Sequence, residues 1–312
     1  MTIIIPDDYQ DAVRHLACFH LLDGLDVQVL RHCPKDLPGL QQALQSADIL
    51  VLIRERTEIS DALLAGLPRL KCISQTGKVS NHIDVAACQR RGITVLEGVG
   101  SPVAPAELTW ALLMNAVRRL PQAIADMKAG HWQTNIGETV SGKIIGIWGY
   151  GKIGQRIAGY AAAFGAKVWV WGSEASRQSA VAHGYAAAVS KADFFARADI
   201  VTLHLRLNEA TRGIVTAADL AGMKPGAILV NTARAELIEP NALLNGLNLG
   251  HPAYAALDVF EEEPVWDTDH PLLQHPRVCC TPHLGYVERN GYELYFGKAF
   301  ENALNWIKQT NL

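Results

Sequence analysis

The sequence predicts an α/β protein with two doubly wound parallel sheets, and three observations predict this class. Short apolar runs alternate with amphipathic segments, as strands do when helices connect them. The alternation stops once, at Gly98–Pro102, where glycine and proline punctuate the chain, and then restarts. The length of 312 residues corresponds to about two domains of roughly 150 residues each.

Five short apolar runs in the first part of the chain predict strands. They are Thr2–Pro6, Asp26–Leu30, Ile49–Ile53, Lys71–Ser74 and Thr94–Leu96. Amphipathic segments lie between them and predict helices, for example at Leu37–Ser46 and Ile83–Arg91.

A long helical pattern, Val103–Ala129, follows the turn at Gly98–Pro102. Pro105 lies early in it, where the first turn of a helix tolerates proline, whereas Pro121 is expected to kink or divide the helix. Six further apolar runs then predict strands that are buried on both faces, because they are almost continuously apolar. They are Lys143–Trp148, Lys167–Trp171, Ile200–His204, Ala227–Asn231, Tyr254–Leu257 and Val278–Thr281. Six such strands with helices between them fit a complete dinucleotide-binding sheet.

These elements predict two Rossmann/flavodoxin-like domains with a cleft between them. The substrate domain is expected to be discontinuous, with residues 1–99 and 287–312, and the cofactor domain to comprise residues 100–286. The last segment, Gly291–Leu312, is predicted to form one amphipathic helix that packs back on the first domain.

Composition argues against several classes of function. The formal net charge is −3 and basic residues are scattered, so neither nucleic acid nor a membrane surface is expected as a partner. The six cysteines form no C-x-x-C pair and have no histidine at zinc-ligand spacing, which predicts reduced structural thiols and no metal site. The N-terminus lacks the features of a signal peptide, and no apolar stretch reaches the roughly 20 residues that span a bilayer. We therefore expect a cytoplasmic protein.

The segment Gly149–Gly154 matches the G-x-G-x-x-G pattern of dinucleotide-binding turns. It follows a predicted strand and opens the predicted helix Lys152–Phe164, which is the context that the pattern requires. Gly149 allows a tight turn, Gly151 lets a pyrophosphate approach the backbone, and Gly154 lets the helix pack close to the strand. An ordinary glycine turn is the alternative, which this context disfavours. The cofactor-binding residues expected in the turn are Gly149, Gly151, Lys152, Ile153 and Gly154.

The choice between NAD and NADP depends on the end of the next strand. An acidic residue about 20 positions after the turn usually binds the ribose hydroxyls. Gly172 stands at that position here, and Glu174 and Arg177 follow. Glu174 would bind the ribose and favour NAD, whereas Arg177 would attract the 2′-phosphate of NADP. We expect NAD, with NADP as the alternative; the third interpretation is that Glu174 and Arg177 form a solvated turn pair.

Four segments together carry a resemblance to one family. They are Gly149–Gly154, Val230–Arg234, Leu257–Pro264 and Thr281–His283. In this order they resemble the D-isomer-specific 2-hydroxyacid dehydrogenases, which include phosphoglycerate, glycerate and D-lactate dehydrogenases. The similarity covers nearly the whole chain and implies hydride exchange between a nicotinamide cofactor and C2 of a 2-oxo or D-2-hydroxy acid. Analogy with this family also makes Val103–Ala129 the expected surface of a homodimer.

The resemblance implies a catalytic set. Arg234 would hold the substrate carboxylate and the oxygen at C2, His283 would be the general acid and base, and Glu263 would orient the imidazole. These residue types suit the chemistry, because histidine exchanges protons near neutral pH and a nearby carboxylate stabilises the imidazolium. A guanidinium can also bind a carboxylate through two parallel hydrogen bonds. Further cofactor contacts are expected from Thr232, Ala233, Asp258 (at the nicotinamide end) and Gly285.

Substrate contacts are expected from both predicted domains. The amides of Lys78 and Val79 would bind the substrate carboxylate from the first domain. The chain departs from the family pattern at Lys78 and at Tyr286, where a small residue is usual, and this leaves the identity of the acid open. Arg54, Lys78 and Tyr286 are therefore candidates to line the substrate end; for Arg54 and Lys78, solvent-facing charge is an equal alternative.

Each catalytic candidate also has a purely structural interpretation. Arg234 alone could be a surface charge, Glu263 part of a solvated turn, and His283 a loop histidine; together with the glycine turn, however, they favour catalysis. The alternative function is a non-catalytic, NAD(H)-sensing corepressor-like binding protein. Turnover of any 2-oxo acid would distinguish the two.

Overall fold

The computed structural model describes residues 1–310 and consists of strands in parallel sheets with connecting helices. The strands are β1 (Thr2–Ile5), β2 (Asp26–Val29), β3 (Ile49–Leu52), β4 (Cys72–Gln75), β5 (Thr94–Leu96), β6 (Ile144–Trp148), β7 (Lys167–Trp171), β8 (Ala186–Ala187), β9 (Ile200–Leu203), β10 (Ile228–Asn231), β11 (Tyr254–Leu257) and β12 (Val278–Cys280). The α-helices are α1 (Leu37–Leu44), α2 (Asp61–Ala65), α3 (Val85–Arg90), α4 (Val103–Arg118), α5 (Leu120–Lys128), α6 (Lys152–Ala163), α7 (Glu174–Ala182), α8 (Lys191–Arg197), α9 (Ala217–Ala221), α10 (Ala242–Leu249), α11 (Pro271–Gln274) and α12 (Arg289–Thr310). Short 3-10 helices cover Val13–His15, Ala17–Leu22 and Ala235–Leu237.

The eleven predicted strands are all present, and their ends differ from the predictions by no more than one residue. The two-residue strand β8 was not predicted. The long pattern Val103–Ala129 is divided into α4 and α5, but the break lies at Arg119, which adopts a left-handed conformation with φ 51°. Pro121 stands in the first turn of α5, where its missing amide costs nothing, so it starts a helix and does not interrupt one.

Contacts divide the chain into two compact units. Unit 1 comprises Met1–Ser101 and the segment that begins at Val287, and unit 2 comprises Pro102–Tyr286. The assignment of unit 1 to the substrate and of unit 2 to the cofactor stays a prediction. Two α/β units, each with a parallel sheet, confirm the predicted fold class.

Unit 1 is built on a five-stranded parallel sheet with the order β2-β1-β3-β4-β5, which is the flavodoxin-like order. Helices α1, α2 and α3 enclose an aliphatic core on one face. Helix α12 covers the other face, where the Ser74 hydroxyl of β4 donates to the carbonyl of Ala299 over 2.8 Å. The last helix therefore packs on this sheet, as predicted; Asn311 and Leu312 of the predicted helix lie outside the described residues.

Unit 2 is built on a seven-stranded parallel sheet with the order β12-β11-β10-β9-β6-β7-β8. Its first six strands in chain order have the Rossmann arrangement, and β12 adds a seventh at the edge. Alternate side chains of a strand enter two different cores. In β11, Ala256 packs into the core that α4 and α6 cover, whereas Ala255 and Leu257 pack into the core on the opposite face. Burial on both faces explains why these strands are continuously apolar.

Within residues 1–310, no helix combines the length and the apolar composition that crossing a membrane requires.

Candidate active site

The residues predicted for catalysis follow strands of the unit 2 sheet. All these strands are parallel, so their carboxyl ends meet at one edge, which is where open α/β sheets bind ligands. The glycine turn follows β6 and Glu174 follows β7, whereas Arg234, Asp258 and His283 follow the neighbouring strands β10, β11 and β12. The sheet order thus brings the loops after β10, β11 and β12 next to one another.

Each glycine of the turn has a distinct steric reason. Gly149 has φ 100°, and a Cβ added there would lie 2.7 Å from the carbonyl oxygen of His204. A Cβ on Gly154 would lie 2.1 Å from the carbonyl oxygen of Gly149, so no larger residue fits between helix and strand. A Cβ on Gly151, in contrast, would meet nothing within 4 Å. The open space at Gly151, beside the amino end of α6, fits the approach of a dinucleotide phosphate.

The end of β7 carries the residues that bear on nucleotide choice. The Glu174 carboxylate pairs with the Arg177 guanidinium over 2.6 Å and also accepts from the Gln178 amide. The guanidinium carbon of Arg177 lies 4.9 Å from the centre of the Trp171 ring. Glu174 and Arg177 are thus paired in the first turn of α7, and the binding of a ribose by Glu174 stays a prediction.

His283 and Glu263 form the closest pair of candidate catalytic side chains. Nδ1 of His283 lies 2.6 Å from Oε2 of Glu263. The other oxygen of Glu263 accepts from the amide of Phe260 over 2.9 Å, which fixes the carboxylate. The Tyr286 ring packs edge-on against His283, with 5.4 Å between the ring centres. The imidazole is therefore held on one nitrogen and along one side.

Asp258 anchors the loop that carries His283. Its side chain is fully buried, and its Oδ1 accepts from the Thr281 hydroxyl over 2.5 Å and from the Leu284 amide over 2.7 Å. Oδ2 accepts from the amide of Gly285 over 2.8 Å. Burial raises the pKa of the Asp258 carboxyl, and these three donations oppose the rise. Both oxygens are thus engaged with the segment that surrounds His283.

Arg234 lies in a turn that the buried side chain of Asn231 shapes. The Asn231 amide group donates to the Arg234 carbonyl over 2.8 Å and accepts from the Ala233 amide over 3.0 Å. Nη1 of Arg234 donates to the Ala233 carbonyl over 2.6 Å. The hydroxyls of Thr232 and Thr109 lie 2.7 Å apart, which ties the same turn to α4. The turn therefore has a fixed backbone immediately after β10.

The remaining substrate candidates lie in unit 1, with Arg54 just after β3 and with Lys78 and Val79 in the loop after β4. The Arg54 side chain lies against Gly77, because a Cβ on Gly77 would be 2.0 Å from Nη1 of Arg54. The amide of Val79 and the ammonium group of Lys78 both bind the carboxylate of Glu97, at 2.9 and 2.6 Å. The predicted carboxylate-binding loop thus holds a carboxylate of the chain itself.

Comparison with protein families extends these observations. Residues 110–285 match the family model described as "D-isomer specific 2-hydroxyacid dehydrogenase, NAD binding domain", which covers more than half of the chain. The chain belongs to this family. The resemblance carried by the four segments is therefore confirmed, and NAD is the cofactor that the family domain binds.

Three similar proteins place the chain within the 2-hydroxyacid dehydrogenase family. A D-3-phosphoglycerate dehydrogenase from Mycobacterium bovis is 37% identical over 253 residues, which are 80% of this chain and 47% of that protein. A 4-methyl-2-oxopentanoate reductase A from Aspergillus oryzae is also 37% identical, over 77% of this chain and 75% of that protein. The crystal structure of a phosphoglycerate oxidoreductase from Vibrio cholerae is 55% identical with a TM-score of 0.96, and the match covers 99% of both chains. The chain spans about half the length of the first of these relatives.

These dehydrogenase and reductase relatives give no support to the corepressor alternative.

Three residues that form hydrogen bonds within the loops of the candidate site were not singled out from the sequence. Asn231 and Thr281 hold the turns that carry Arg234 and His283, and Glu97 occupies the loop of unit 1. Asn231 and Thr281 each lie at or just after the end of a predicted strand, and this position was the available signal. Glu97 also directly follows a predicted strand, Thr94–Leu96, but its partners lie 18 and 19 residues earlier in the chain, so its position did not identify them.

Proposed function

We propose that the chain exchanges a hydride between NAD(H) and C2 of a 2-oxo or D-2-hydroxy acid, with His283, Glu263 and Arg234 as the catalytic set. The observation that carries the proposal is the 2.6 Å contact between His283 Nδ1 and Glu263, at the ligand-binding edge of an NAD-binding domain. An imidazole held by a carboxylate on one nitrogen is arranged to exchange a proton through the other.

The proposed mechanism assigns one task to each side chain. When NADH is bound, its nicotinamide supplies the hydride that C2 receives. His283 donates a proton from Nε2 to the oxygen on C2, so that a 2-oxo acid becomes a 2-hydroxy acid. Glu263 holds Nδ1 and stabilises the imidazolium, and Arg234 binds the substrate carboxylate with its planar guanidinium. Oxidation runs through the same groups in reverse.

The names of the relatives support a substrate class and not a single substrate. They name phosphoglycerate and 4-methyl-2-oxopentanoate, and another relative is named a glyoxylate reductase. What these acids share is a carboxylate next to an oxidisable or reducible C2. We therefore propose the class, with Lys78, Val79, Arg54 and Tyr286 as the candidates for selecting its member.

A turnover assay tests the proposed function. Purified protein is given NADH and, one at a time, glyoxylate, pyruvate, hydroxypyruvate, 4-methyl-2-oxopentanoate and phosphorylated 2-oxo acids. Oxidation of NADH that depends on at least one acid is expected, together with formation of the D-isomer of its product. His283→Ala is the matched control for background oxidation. Tight binding of NADH without turnover of any acid would reject the proposal.

NAD is proposed as the preferred cofactor over NADP. Glu174 follows β7 with its carboxylate exposed, and its charge would repel a 2′-phosphate. Arg177 is already paired with that carboxylate and lies on the Trp171 ring. The ratio of kcat/KM for NADH and NADPH tests this preference, and a higher value for NADPH would assign the phosphate to Arg177.

We also propose that the chain forms a homodimer through α5 and the segment after it. None of the residues of α5 is buried, although several are apolar. Trp132 and Ile136, in the segment that follows, are 77% and 91% exposed. Several exposed apolar side chains in one short segment support an interface there.

A cytoplasmic location is the last part of the proposal. All six cysteines are free, and burial raises the pKa of the Cys33 and Cys72 thiols to about 12. Buried thiols with a raised pKa are unreactive, and six free cysteines are the state expected in a reducing compartment, which supports this part of the proposal.

A further inference from the structure

The loop Thr76–Ser80 of unit 1 carries groups that can bind an anion. It follows β4, at the carboxyl edge of the parallel sheet of unit 1. The ammonium group of Lys78 projects from it with 65% of the side chain exposed. The guanidinium of Arg54 lies directly against Gly77, because a Cβ there would be 2.0 Å from Nη1. Two cationic side chains and a backbone amide thus face the same short segment. Glu55 lies beside them, since it pairs with Arg54 over 3.8 Å and accepts from the Ser80 hydroxyl over 3.3 Å.

A carboxylate of the chain occupies this loop. Oε1 of Glu97 accepts from the Val79 amide over 2.9 Å, and Oε2 accepts from Nζ of Lys78 over 2.6 Å. These are the two kinds of donor, a backbone amide and an ammonium group, that a bound carboxylate uses. Glu97 therefore makes the contacts that an acid ligand of this loop would make.

The backbone places Glu97 beside the loop. The Gly98 amide donates to the Gly77 carbonyl over 2.9 Å, and the Asn302 side chain of α12 donates to the Glu97 carbonyl over 2.9 Å. A Cβ on Gly98 would lie 2.4 Å from the Gln75 carbonyl oxygen, so the two segments are in direct contact. The Glu97 side chain itself is 43% exposed, so a rotation about its own bonds can carry the carboxylate into solvent.

We propose that Glu97 is an internal occupant of the anion-binding loop, and that an acid ligand must displace it to bind there. The proposal rests on the proposed function only in taking that ligand to be the substrate acid. Displacement releases the Val79 amide and the Lys78 ammonium group to the ligand at the same time. Glu97 thus lowers the affinity for every small acid, and it favours acids that can use Lys78 as well as the amide.

The test compares the affinity of a carboxylate probe for four proteins. Oxalate is titrated calorimetrically into the full chain in the presence of excess NADH; oxalate has no reducible ketone, so binding is measured without turnover. The proteins are the parent, Glu97→Gln, Lys78→Met and the double variant. Glu97→Gln keeps an oxygen that can accept from the Val79 amide, so the loop is preserved, but it removes the competing charge.

Glu97→Gln is expected to bind oxalate about twofold to fivefold more tightly than the parent, because this change in affinity corresponds to the free energy of an exposed ion pair. Lys78→Met should bind it less tightly, and the gain from Glu97→Gln should shrink when Lys78 is absent. Glu301→Gln is the matched control, because it changes the net charge equally in unit 1 while Glu301 pairs with Lys298, outside the loop. Its affinity for oxalate should equal that of the parent.

Equal or weaker oxalate binding by Glu97→Gln, or binding too weak to detect in all four proteins, would overturn the inference. The parent's turnover of 2-oxo acids is measured in parallel and reports on the proposed function alone. A parent that reduces 2-oxo acids without the expected gain in Glu97→Gln rejects only the role of Glu97. If Glu97→Gln binds oxalate more tightly but the parent turns over no 2-oxo acid, the role of Glu97 is supported and the proposed dehydrogenase function is rejected.

Discussion

At the scale of single residues, His283 depends on its neighbours for an unusual backbone conformation. Its φ is 50°, a region that residues other than glycine rarely adopt. Thr281 before it and Leu284 and Gly285 after it all donate hydrogen bonds to the buried Asp258 carboxylate. Asp258 is therefore positioned to set the orientation of His283, a task different from the nicotinamide contact that the family resemblance implies.

Replacing Asp258 by asparagine should separate these two tasks. An amide has only one accepting oxygen, so it cannot accept both from Thr281 and Leu284, as Oδ1 does, and from Gly285, as Oδ2 does. We expect kcat to fall about 10- to 100-fold, the effect of losing a hydrogen bond to a charged group, with little change in KM for NADH. Asp199→Asn is the control, since Asp199 also accepts from a backbone amide but lies at the amino end of β9. A large rise in KM for NADH at constant kcat would favour the nicotinamide contact instead.

The pair of His283 and Glu263 predicts a pH dependence. Reduction requires a protonated imidazole, so its rate should fall as the pH rises, and oxidation should show the opposite trend. Glu263→Gln removes the charge that stabilises the imidazolium, and the fall in reduction should move to lower pH. His283→Ala should lose about 10²- to 10⁴-fold in kcat. Superimposable pH profiles of the parent and Glu263→Gln would mean that the two side chains are not coupled.

Arg234 should be sensitive even to a substitution that keeps its charge. Lysine cannot form the two parallel hydrogen bonds of a guanidinium to a carboxylate. We expect Arg234→Lys to lower kcat/KM by about 10- to 100-fold, from the roughly 1.5–3 kcal/mol of one charged hydrogen bond. Arg212→Lys is the control, because Arg212 is an exposed arginine whose partner is Glu236. Unchanged kcat/KM in Arg234→Lys would remove Arg234 from the substrate site.

At the scale of elements, the turn between β6 and α6 contains two glycines with different roles. Gly154 is required for packing, and Gly151 is proposed to make room for the ligand. Gly151→Val enters open space and should leave the melting temperature unchanged while NADH binding is lost, because the branched side chain fills the place of the phosphate. Gly154→Ala pushes against the Gly149 carbonyl and should lower the melting temperature. Melting curves with NADH titrations of both variants test this difference. A folded Gly151→Val protein that binds NADH like the parent would contradict the assignment.

Most elements could be predicted from the sequence because their signals are local. Apolar runs predicted eleven strands. Strand β8 was not predicted, because its two alanines, Ala186–Ala187, have a low strand propensity. The break between α4 and α5 was expected at Pro121 and lies at Arg119. Proline is compatible with the first turn of a helix, so its position alone did not determine where the preceding helix ends.

At the scale of the whole molecule, the proposed homodimer predicts a defined assembly in solution. Sedimentation equilibrium should give twice the mass of the chain, and Ile124→Glu on α5 should shift the protein towards the monomer by at least about tenfold in dissociation constant. Val189→Glu is the control, since Val189 is also an exposed apolar residue of unit 2 but lies outside α5. A parent that sediments as a monomer would reject the proposed interface.

The site was less predictable than the fold, because its decisive contacts join distant parts of the chain. The glycine turn and the candidates Arg234, Glu263 and His283 were visible as local motifs. The bonds that hold them were not: Asp258 reaches residues 23 to 27 positions later, and Glu97 reaches back to Lys78 and Val79. Such partners are determined by sheet order, which a single sequence does not specify.

Because the strands of unit 2 are parallel, the loops at their carboxyl ends and the turns at their amino ends should tolerate different kinds of engineered change. Every loop proposed for chemistry follows the carboxyl end of a strand, so a mutagenesis library confined to those loops samples new acids and cofactors on an unchanged scaffold. The turns at the other edge, such as those at Gly184 and Gly226, are exposed and only return the chain to the next strand. A fluorescent label or an inserted peptide tag there leaves the reacting groups untouched, so the same parallel arrangement that gathers the chemistry also provides remote attachment points for reporters.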